Sequence, residues 1–310
     1  MERNKTMKTI ILISLILLAL TSFGQKNNNY IDYYNLLNEG DHQIYLKNDS
    51  LALDYYTKAF EKVNYVHCDY IVNAARIYAR INDYEDAYKY SRQAIIQGAN
   101  IKFRKGKSFK KFRKTPYYKT LKDSTAFFVQ TYKNNIDSNY KYLVDSLFYL
   151  DQVVIRGAKN YHKRNYKIDK SKLPKDMVVF DSLIFVKFLS LINEYGFPTE
   201  DKIGYESFGD VWVIYHHNIR LKKNAKYMSL AQEAVRQGAY LPRDYAWMYD
   251  QSTEIKKEEP YFYFGVLFDP ADKIKYKDII NKRRKEWGIK PVESSVTKKI
   301  LQGTRTNQLW

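Results

Sequence analysis

A pattern of small and large apolar residues recurs every 35 residues in the N-terminal third of the chain. Its members are Ala52, Tyr56 and Ala59 in the first copy, and Ala87, Ser91 and Ala94 in the second. Spacings of three and four residues place each set on one face of a helix. Asp49-Ser50 and Asp83 stand where N-caps are expected, and Gly98 stands where a C-cap is expected. We therefore predict four helices between Tyr30 and Gly98, paired as two hairpins.

This pattern resembles the tetratricopeptide repeat, which has a period of about 34 residues and small residues where paired helices touch. The segment Ala74 to Arg80 has the composition of the first helix of such a repeat. The resemblance covers about residues 30–98 and implies a surface that binds a protein or peptide. Because an array of only two units does not bury a continuous core, we expect later residues to cap it.

Ten basic residues and no acidic one lie between Lys102 and Lys122, with five aromatic residues among them. Two interpretations are open. The segment forms a cationic, aromatic surface for an anionic polymer, or it caps the repeats with its aromatic side chains and leaves its lysines in water. The spacing of Phe109 and Phe112, and the position of Pro116 at a helix start, favour the second interpretation.

The first 24 residues have the pattern of a secretory signal peptide. Arg3, Lys5 and Lys8 precede the apolar run Ile10 to Leu20, and cleavage is expected near Gly24. The run is shorter than the roughly 20 residues that span a bilayer, and no later segment is long and apolar enough. We therefore predict an exported protein, periplasmic or secreted, with no transmembrane segment.

The formal net charge of +18 favours anionic partners, such as an acidic polymer of the cell envelope. Alternatively, it reflects the codon usage of an AT-rich genome, in which Lys, Asn, Ile and Tyr are frequent. Export argues against nucleic acid as the partner. The single cysteine, Cys68, cannot form an internal disulfide, and we expect it to be a small buried residue of a helix.

The C-terminal half also has a helical pattern. We predict a helix from Ser182 to Tyr195, ended by Gly196, and another from Asp278 to Trp287. The run Val211 to Tyr215 is compatible with a helix or a strand. The run Tyr261 to Phe268 indicates a strand, half of a small hairpin.

Short motifs of this half occur in the same order in an uncharacterised bacterial domain family, which the chain resembles over about residues 150–293. The motifs are Asp151-Gln152, Asp181, Gly196 to Thr199, Gly204, His217, Ala234-Val235 with Gly238, Ala246 with Met248 and Asp250, Phe264-Gly265, and Arg283-Arg284 with Gly288-Ile289. The family has no established activity. The resemblance therefore implies a mostly helical architecture, and it favours a helix for residues 211–217.

The chain departs from the family pattern at its polar positions. The family's polar glutamine-x-tyrosine-glycine-threonine-glutamine corresponds here to the apolar segment Phe262 to Leu267. The family's aspartate-arginine pair corresponds to Asp250-Gln251, and the family's glutamine-histidine pair corresponds to His216-His217. The family's aspartate-glutamine-x-x-arginine motif is one residue longer in this chain and ends at Arg156. Such losses favour a structural role for the motifs over a catalytic one.

A set of polar residues could nevertheless perform acid–base chemistry on an anionic substrate. In this interpretation His217 is the base, Asp250 or Asp181 orients it, and an arginine holds the anion. The candidates for anion binding are Arg156, Arg283, Arg284 and Gln152. The alternative is a buried histidine bonded to a carboxylate at a helix junction. Because adjacent histidines lack the spacing of a metal pair, we predict no metal site, and we predict no cofactor.

We thus predict a mostly α protein, a short tetratricopeptide-like solenoid joined to a mainly helical C-terminal domain with at most a small β-hairpin. Its parts are a signal peptide (1–24), repeats with a basic cap (25–122), a connecting helix (123–150) in which Asn134-Asn135 is a candidate break, the C-terminal domain (151–293) and a loose tail (294–310). The predicted function is binding or scaffolding in the cell envelope. The alternative is a hydrolase-like enzyme that acts on an anionic envelope substrate with His217 as general base.

Overall fold

The computed structural model describes residues 29–155, 177–222, 225–252, 263–266 and 275–292. Every regular element within these ranges is helical, and no strand occurs in them, which confirms the mostly α fold. The N-terminal part contains α1 (Tyr30–Tyr45), α2 (Asp49–Phe60), α3 (Cys68–Ile81) and α4 (Tyr84–Ile96). The four predicted helices therefore exist, and the six residues of the 35-residue pattern are all buried at the contacts between them.

The caps of these helices follow the predicted chemistry with one shift in position. Asn48, rather than Asp49-Ser50, is the N-cap of α2, and its side chain accepts a hydrogen bond from the backbone nitrogen of Leu51. Asp83 caps α4 as predicted. Gly98 follows α4 with φ +93°, a conformation that favours glycine, and it places the backbone nitrogen of Ala99 against the carbonyl of Ala94.

The basic segment forms three short 3-10 turns, Ile101–Lys105, Lys107–Phe109 and Phe112–Lys114, followed by α5 (Pro116–Asp123). Phe109 and Phe112 are fully buried in one cluster with Ala87 and Ile95 of α4. The lysines of the segment are exposed. The phenylalanines of this segment therefore cap the repeats, as the second interpretation predicted, and Pro116 begins a helix.

Residues 123–150, predicted as one connecting helix, contain two. α6 (Thr125–Asn135) ends directly after the Asn134-Asn135 pair, and α7 (Ser138–Tyr149) begins three residues later. Asp137 restarts the helix because its side chain accepts a hydrogen bond from the backbone nitrogen of Tyr140 at 2.9 Å. A π-helical turn, Leu150–Ile155, follows α7.

The C-terminal half contains α8 (Met177–Tyr195), α9 (Glu200–Ile203), α10 (Tyr205–Lys222), α11 (Ala225–Arg236), α12 (Pro242–Ser252) and α13 (Lys277–Glu286). α8 begins five residues before the predicted Ser182 and ends at Tyr195, as predicted. The ambiguous run Val211 to Tyr215 is helical, within α10. Val211, Val213, Ile214 and Tyr215 are all buried, so tertiary packing overrides their preference for strands.

The predicted strand near Tyr261 to Phe268 is not formed where the structure describes it. Residues 263–266 are bends without strand pairing, and residues 261, 262, 267 and 268 lie outside the described ranges. The predicted signal peptide and tail lie outside them as well. No helix of the described residues is both long and apolar enough to cross a membrane.

The two halves pack closely because helix α1 meets a glycine of the C-terminal half. Gly288 has φ +67°, and a Cβ atom at this position would lie 2.8 Å from the Cβ of Tyr34 and 3.2 Å from the carbonyl oxygen of Ile31. Only glycine permits both this backbone conformation and this close approach. The loop after α13 is thereby fixed against α1.

Candidate functional site

His217 lies on α10 and pairs with a carboxylate that the prediction did not assign to it. Its Nδ1 is 3.0 Å from both side-chain oxygens of Asp151, which is fully buried in the π-helical turn. The amide of Gln152 also donates to Asp151. Because an ionised carboxylate only accepts hydrogen bonds, Nδ1 is the donor in this contact, and Nε2 is left outside it. The orienting residue is thus Asp151, where Asp181 or Asp250 was predicted.

Asp250, one of the predicted partners of His217, instead holds the backbone of residues 263–266. Its two oxygens accept hydrogen bonds from the backbone nitrogens of Phe264 at 2.9 Å and Val266 at 2.7 Å. Asp250 is fully buried at the end of α12. A buried carboxylate that accepts two backbone N–H groups stabilises a turn, which is a structural role.

Arg284, predicted to bind an anion, instead donates hydrogen bonds to backbone carbonyl groups, including one in the same turn. Nε donates to the carbonyl of Phe264 at 2.8 Å, and Nη1 donates to the carbonyl of Lys290 at 2.7 Å. Burial lowers the pKa of Arg284 to about 10, and the nearby charge of Asp250 opposes this shift. Asp250 and Arg284 therefore form a clamp around residues 263–266, with the carboxylate on the N–H groups and the guanidinium on the C=O groups.

The other predicted site residues are placed as follows. The Arg283 guanidinium lies 4.2 Å from the ring centroid of Tyr263, a cation–π contact, so it too is directed at the 263–266 turn. Asp181 is buried on α8 with an exposed fraction of 3%. Arg156 lies outside the described residues. The structure therefore brings His217 together with Gln152 of the predicted set, and Asp250 together with Arg284.

The neighbouring histidine, His216, belongs to an aromatic contact between α10 and α12. Its ring stacks on Trp247 with the centroids 4.2 Å apart, and it lies 5.7 Å from the ring of Trp212. The two histidines thus contact different groups: His217 contacts a carboxylate, and His216 contacts tryptophan rings. In the described part of the chain no three His, Cys, Asp or Glu side chains are grouped so that they could hold a metal ion.

The prediction missed a buried polar joint between the two halves, centred on Glu200. Glu200 Oε1 accepts hydrogen bonds from the backbone nitrogen of Cys68 at 2.8 Å and from the hydroxyl of Tyr65 at 3.1 Å. Its Oε2 lies 3.1 Å from Nδ1 of His67. Glu200 and His67 are each 3% exposed. The carboxylate therefore replaces water at the first turn of α3, where backbone N–H groups lack helical partners.

Aromatic rings enclose this joint. The imidazole of His67 stacks on Phe208 of α10, with centroids 5.1 Å apart, and on Tyr34 of α1, with centroids 5.9 Å apart. Tyr205 adds a further link between the halves, because its hydroxyl donates to Asp69 at 2.7 Å. Nothing in the sequence singled out Glu200, since an acidic residue in a helical first turn is ordinary and its target lies 132 residues earlier.

A second buried network joins α7 and α10 but offers no accessible nucleophile. Ser207 donates to Asp145 at 2.6 Å, and Lys141 donates to both side chains. A serine beside a lysine is a known nucleophilic arrangement, but Ser207 is fully buried. We interpret this network as structural.

A small cavity lies within the C-terminal half, between α10 and the start of α12. It has a volume of about 60 Å³ and is lined by Phe208, Trp212, Tyr240, Arg243 and Asp244, among others. This space suits a few water molecules, whereas pockets for small-molecule ligands measure roughly 300–1,000 Å³. It therefore does not identify a substrate.

Comparison with known proteins gives no family model that matches the chain, and no matching curated protein or solved structure. The resemblances to the tetratricopeptide repeat and to the C-terminal domain family therefore stay predictions.

Proposed function

We propose that this chain is a binding and scaffolding protein of the cell envelope whose helical hairpins hold segments of polypeptide by their main chain. The observation that carries the proposal lies on α1. The side-chain amide of Asn35 donates to the carbonyl of Lys285 at 2.9 Å, and that of Asn38 donates to the carbonyl of Gly288 at 3.1 Å. Both acceptors belong to the backbone at the end of α13, 250 residues away.

The face of α1 that makes these contacts continues toward its C-terminal end. Asp41 lies three residues beyond Asn38, and its Oδ2 is 3.4 Å from Nζ of Lys290. One helix face therefore follows the segment that runs from the last turn of α13 to Lys290. Because carboxamides that bind carbonyl oxygens do not read side chains, the same face suits polypeptides of different sequence.

The chain's own segment supports the proposal as an example of what this face holds. Because the chain's own segment occupies Asn35 and Asn38, a partner that presents free carbonyls at a similar spacing would displace this segment from the face. The hairpins supply a rigid support, because their helices are capped and their contact residues are fully buried. Rigid helices position such amides more accurately than a loop does.

Site-specific photo-cross-linking in the full-length protein tests this function. A photoreactive residue at position 42, one turn beyond Asn38 on the same face, is compared with one at the exposed position 58 on α2. We expect a discrete protein adduct in envelope extract at position 42 only, and we expect Asn35→Ala with Asn38→Ala to weaken it at least fivefold. Equal adducts at both positions, or an adduct that the double variant leaves unchanged, would overturn the proposal.

The location in the envelope rests on the N-terminal pattern of residues 1–24. Expression in a Gram-negative bacterium, followed by intact-mass measurement of the periplasmic fraction, tests it. We expect a mature chain that begins at or near Gln25. A chain that keeps residues 1–24 and stays in the cytoplasm would contradict the location without affecting the binding proposal.

A second function is favoured by the His217–Asp151 geometry, which provides an oriented imidazole whose side chain is 19% exposed. Such a pair serves as a general base in hydrolysis of an anionic envelope substrate. The test compares phosphodiester and glycoside hydrolysis by the wild type and His217→Gln. Hydrolysis lost in this variant and retained in His42→Gln, a change of a histidine on α1, would establish the enzyme. Turnover unchanged by His217→Gln would exclude it.

A further inference from the structure

Three consecutive 3-10 turns after the repeats share one arrangement. Each turn, with its flanking residues, directs one phenylalanine toward the repeats and exposes two lysines three residues apart. The lysine pairs are Lys102 with Lys105, Lys107 with Lys110, and Lys111 with Lys114, and all six are exposed. Because a 3-10 helix has three residues per turn, residues three apart lie on one side, roughly 6 Å apart along the axis.

The turns are fixed in place by their two arginines, which point into the protein. Arg104 is buried and donates from Nη1 to the hydroxyl of Thr125 on α6 at 3.0 Å. Arg113 donates from Nη1 to the backbone carbonyls of Arg104 at 2.9 Å and Gly106 at 3.1 Å. The guanidinium groups therefore connect one turn to another, and the charge left on the surface is that of lysine alone.

This surface lies in a strongly basic part of the chain. Residues 99–135 contain eleven basic residues and one acidic residue, which gives +10 out of the net +18. Among the residues that the structure describes, none of the six lysines is paired with an acidic side chain. A dense positive surface attracts polyanions over a distance of about a Debye length.

We propose that these six lysines form a binding surface for an acidic polysaccharide, a hydrated chain with regularly spaced anionic groups. Single-stranded nucleic acid is bound by exposed aromatic rings and arginines. Here Phe109, Phe112 and Arg104 are buried, and the guanidinium of Arg113 is bound to backbone carbonyls. A membrane surface requires apolar side chains to insert beside the charges. Phe103, Phe109 and Phe112 of the three turns pack against the repeats, which leaves Ile101 as the exposed large apolar side chain of the turns. Lysine ammonium groups remain hydrated and suit a hydrated polyanion.

The surface is separate from the main-chain face of α1. It is built on α4, through Ala87 and Ile95, and on α6, through Thr125. The inference therefore goes beyond the proposed function, and either can fail without the other.

The test uses the full-length protein and three probes in parallel: dextran sulfate, polygalacturonate and neutral dextran. Binding is measured by biolayer interferometry at 50 and 200 mM NaCl. We expect both acidic polysaccharides to bind at 50 mM salt and to lose at least tenfold in affinity at 200 mM, because several charge contacts release counterions. Neutral dextran does not bind. Failure of both acidic probes at 50 mM salt would overturn the proposal.

Two variants with the same net charge distinguish binding at this surface from binding that depends on the net charge alone. The first changes all six lysines of the surface to glutamine. The second changes six exposed lysines elsewhere to glutamine, namely Lys47, Lys62, Lys187, Lys275, Lys282 and Lys285. We expect at least a tenfold loss of affinity in the first variant and less than a threefold loss in the second. Equal losses would overturn the proposal.

Circular dichroism shows whether both variants are folded, and single Lys→Gln changes at Lys105 and Lys111 replace the sixfold variant if it is not. Binding to vesicles that contain phosphatidylglycerol is measured in the same way. Binding to these vesicles without binding to either acidic polysaccharide would assign the surface to membranes and refute the inference. Binding to single-stranded DNA tighter than to both polysaccharides would refute it as well.

Discussion

Glu200 accepts a hydrogen bond from the first backbone nitrogen of α3, with its Oε1 2.8 Å from the nitrogen of Cys68. A residue of the C-terminal half thus caps a helix of the repeats. The negative charge lies at the positive end of the helix dipole, and it is buried. The same carboxylate holds Tyr65 and His67, so one side chain carries most of the polar contact between the halves at this point.

We expect Glu200→Ala to reduce the free energy of unfolding by about 3 kcal/mol, because three buried donors or acceptors lose their partner. Glu200→Gln keeps an acceptor oxygen and costs about half as much. Equilibrium unfolding in urea at pH 7 measures both. Glu39→Ala, a change on the exposed side of α1, is the control and is expected to stay within about 0.5 kcal/mol of the wild type. A Glu200→Ala effect as small as that of the control would show that the joint does not stabilise the fold.

The clamp formed by Asp250 and Arg284 predicts a local effect as well as a global one. In Asp250→Ala the backbone nitrogens of Phe264 and Val266 lose their acceptors, and we expect a loss of about 3 kcal/mol. Hydrogen exchange by NMR locates the effect. The amides of residues 264 and 266 should exchange much faster, while those in the interior of α2 keep their order of protection. Unchanged exchange at residues 264 and 266 would contradict the clamp.

The contact between Gly288 and α1 predicts opposite outcomes for two glycine-to-alanine changes. Gly288→Ala combines a left-handed backbone with a steric clash, and we expect a loss of about 2–3 kcal/mol. Gly209 lies inside α10 with no atom within 4 Å of a Cβ at this position. Gly209→Ala should therefore stabilise the helix by about 0.5–1 kcal/mol. Thermal unfolding of both variants checks the pair, and a stabilised Gly288→Ala would contradict the close approach.

Asp69 predicts a pH dependence with a defined sign. Burial raises the pKa of this carboxyl above its ordinary value of 3.8, although the hydroxyl of Tyr205 opposes the shift. The folded state therefore binds the proton more tightly than the unfolded state. The stability that this proton contributes is complete below pH 3.8, and it is lost as the pH rises through the folded-state pKa.

Asp69→Asn is neutral at every pH and keeps an oxygen for Tyr205. We expect the melting temperature of this variant to rise relative to the wild type as the pH increases through this window, and the difference to level off above it. Asp123→Asn, at an exposed position on α5, is the charge-matched control. If the difference in melting temperature between Asp69→Asn and the wild type decreased with increasing pH, the raised pKa of Asp69 would be contradicted.

The helices of the repeats could be predicted because their signals are local. Ala52 and Ala87 mark a helix contact by size and spacing, and Asp83 marks a start by its capping chemistry. The inward direction of Phe109 followed from its distance to Phe112 in the same way. The position of the cap at Asn48 was missed because several residues in a row can accept the same hydrogen bond.

The candidate site was less predictable because its contacts join distant parts of the chain. His217 contacts Asp151 and neither of the two predicted carboxylates, because Asp151, Asp181 and Asp250 are equivalent in sequence. The turn at residues 263–266 has the composition of a strand, but Asp250 and Arg284 hold it as a bend. The packing of the helices determines which of these residues contact each other, and local sequence patterns do not predict that packing.

The contact of Asn35 with the carbonyl of Lys285 has a consequence for biosynthesis. The first helix leaves the ribosome long before its partner, because 250 residues separate the two. At about 5–20 residues per second, α1 waits roughly 12–50 s with the face that carries Asn35 and Asn38 uncovered. Nascent or translocating chains should therefore depend on a chaperone that shields this helix until the last one arrives.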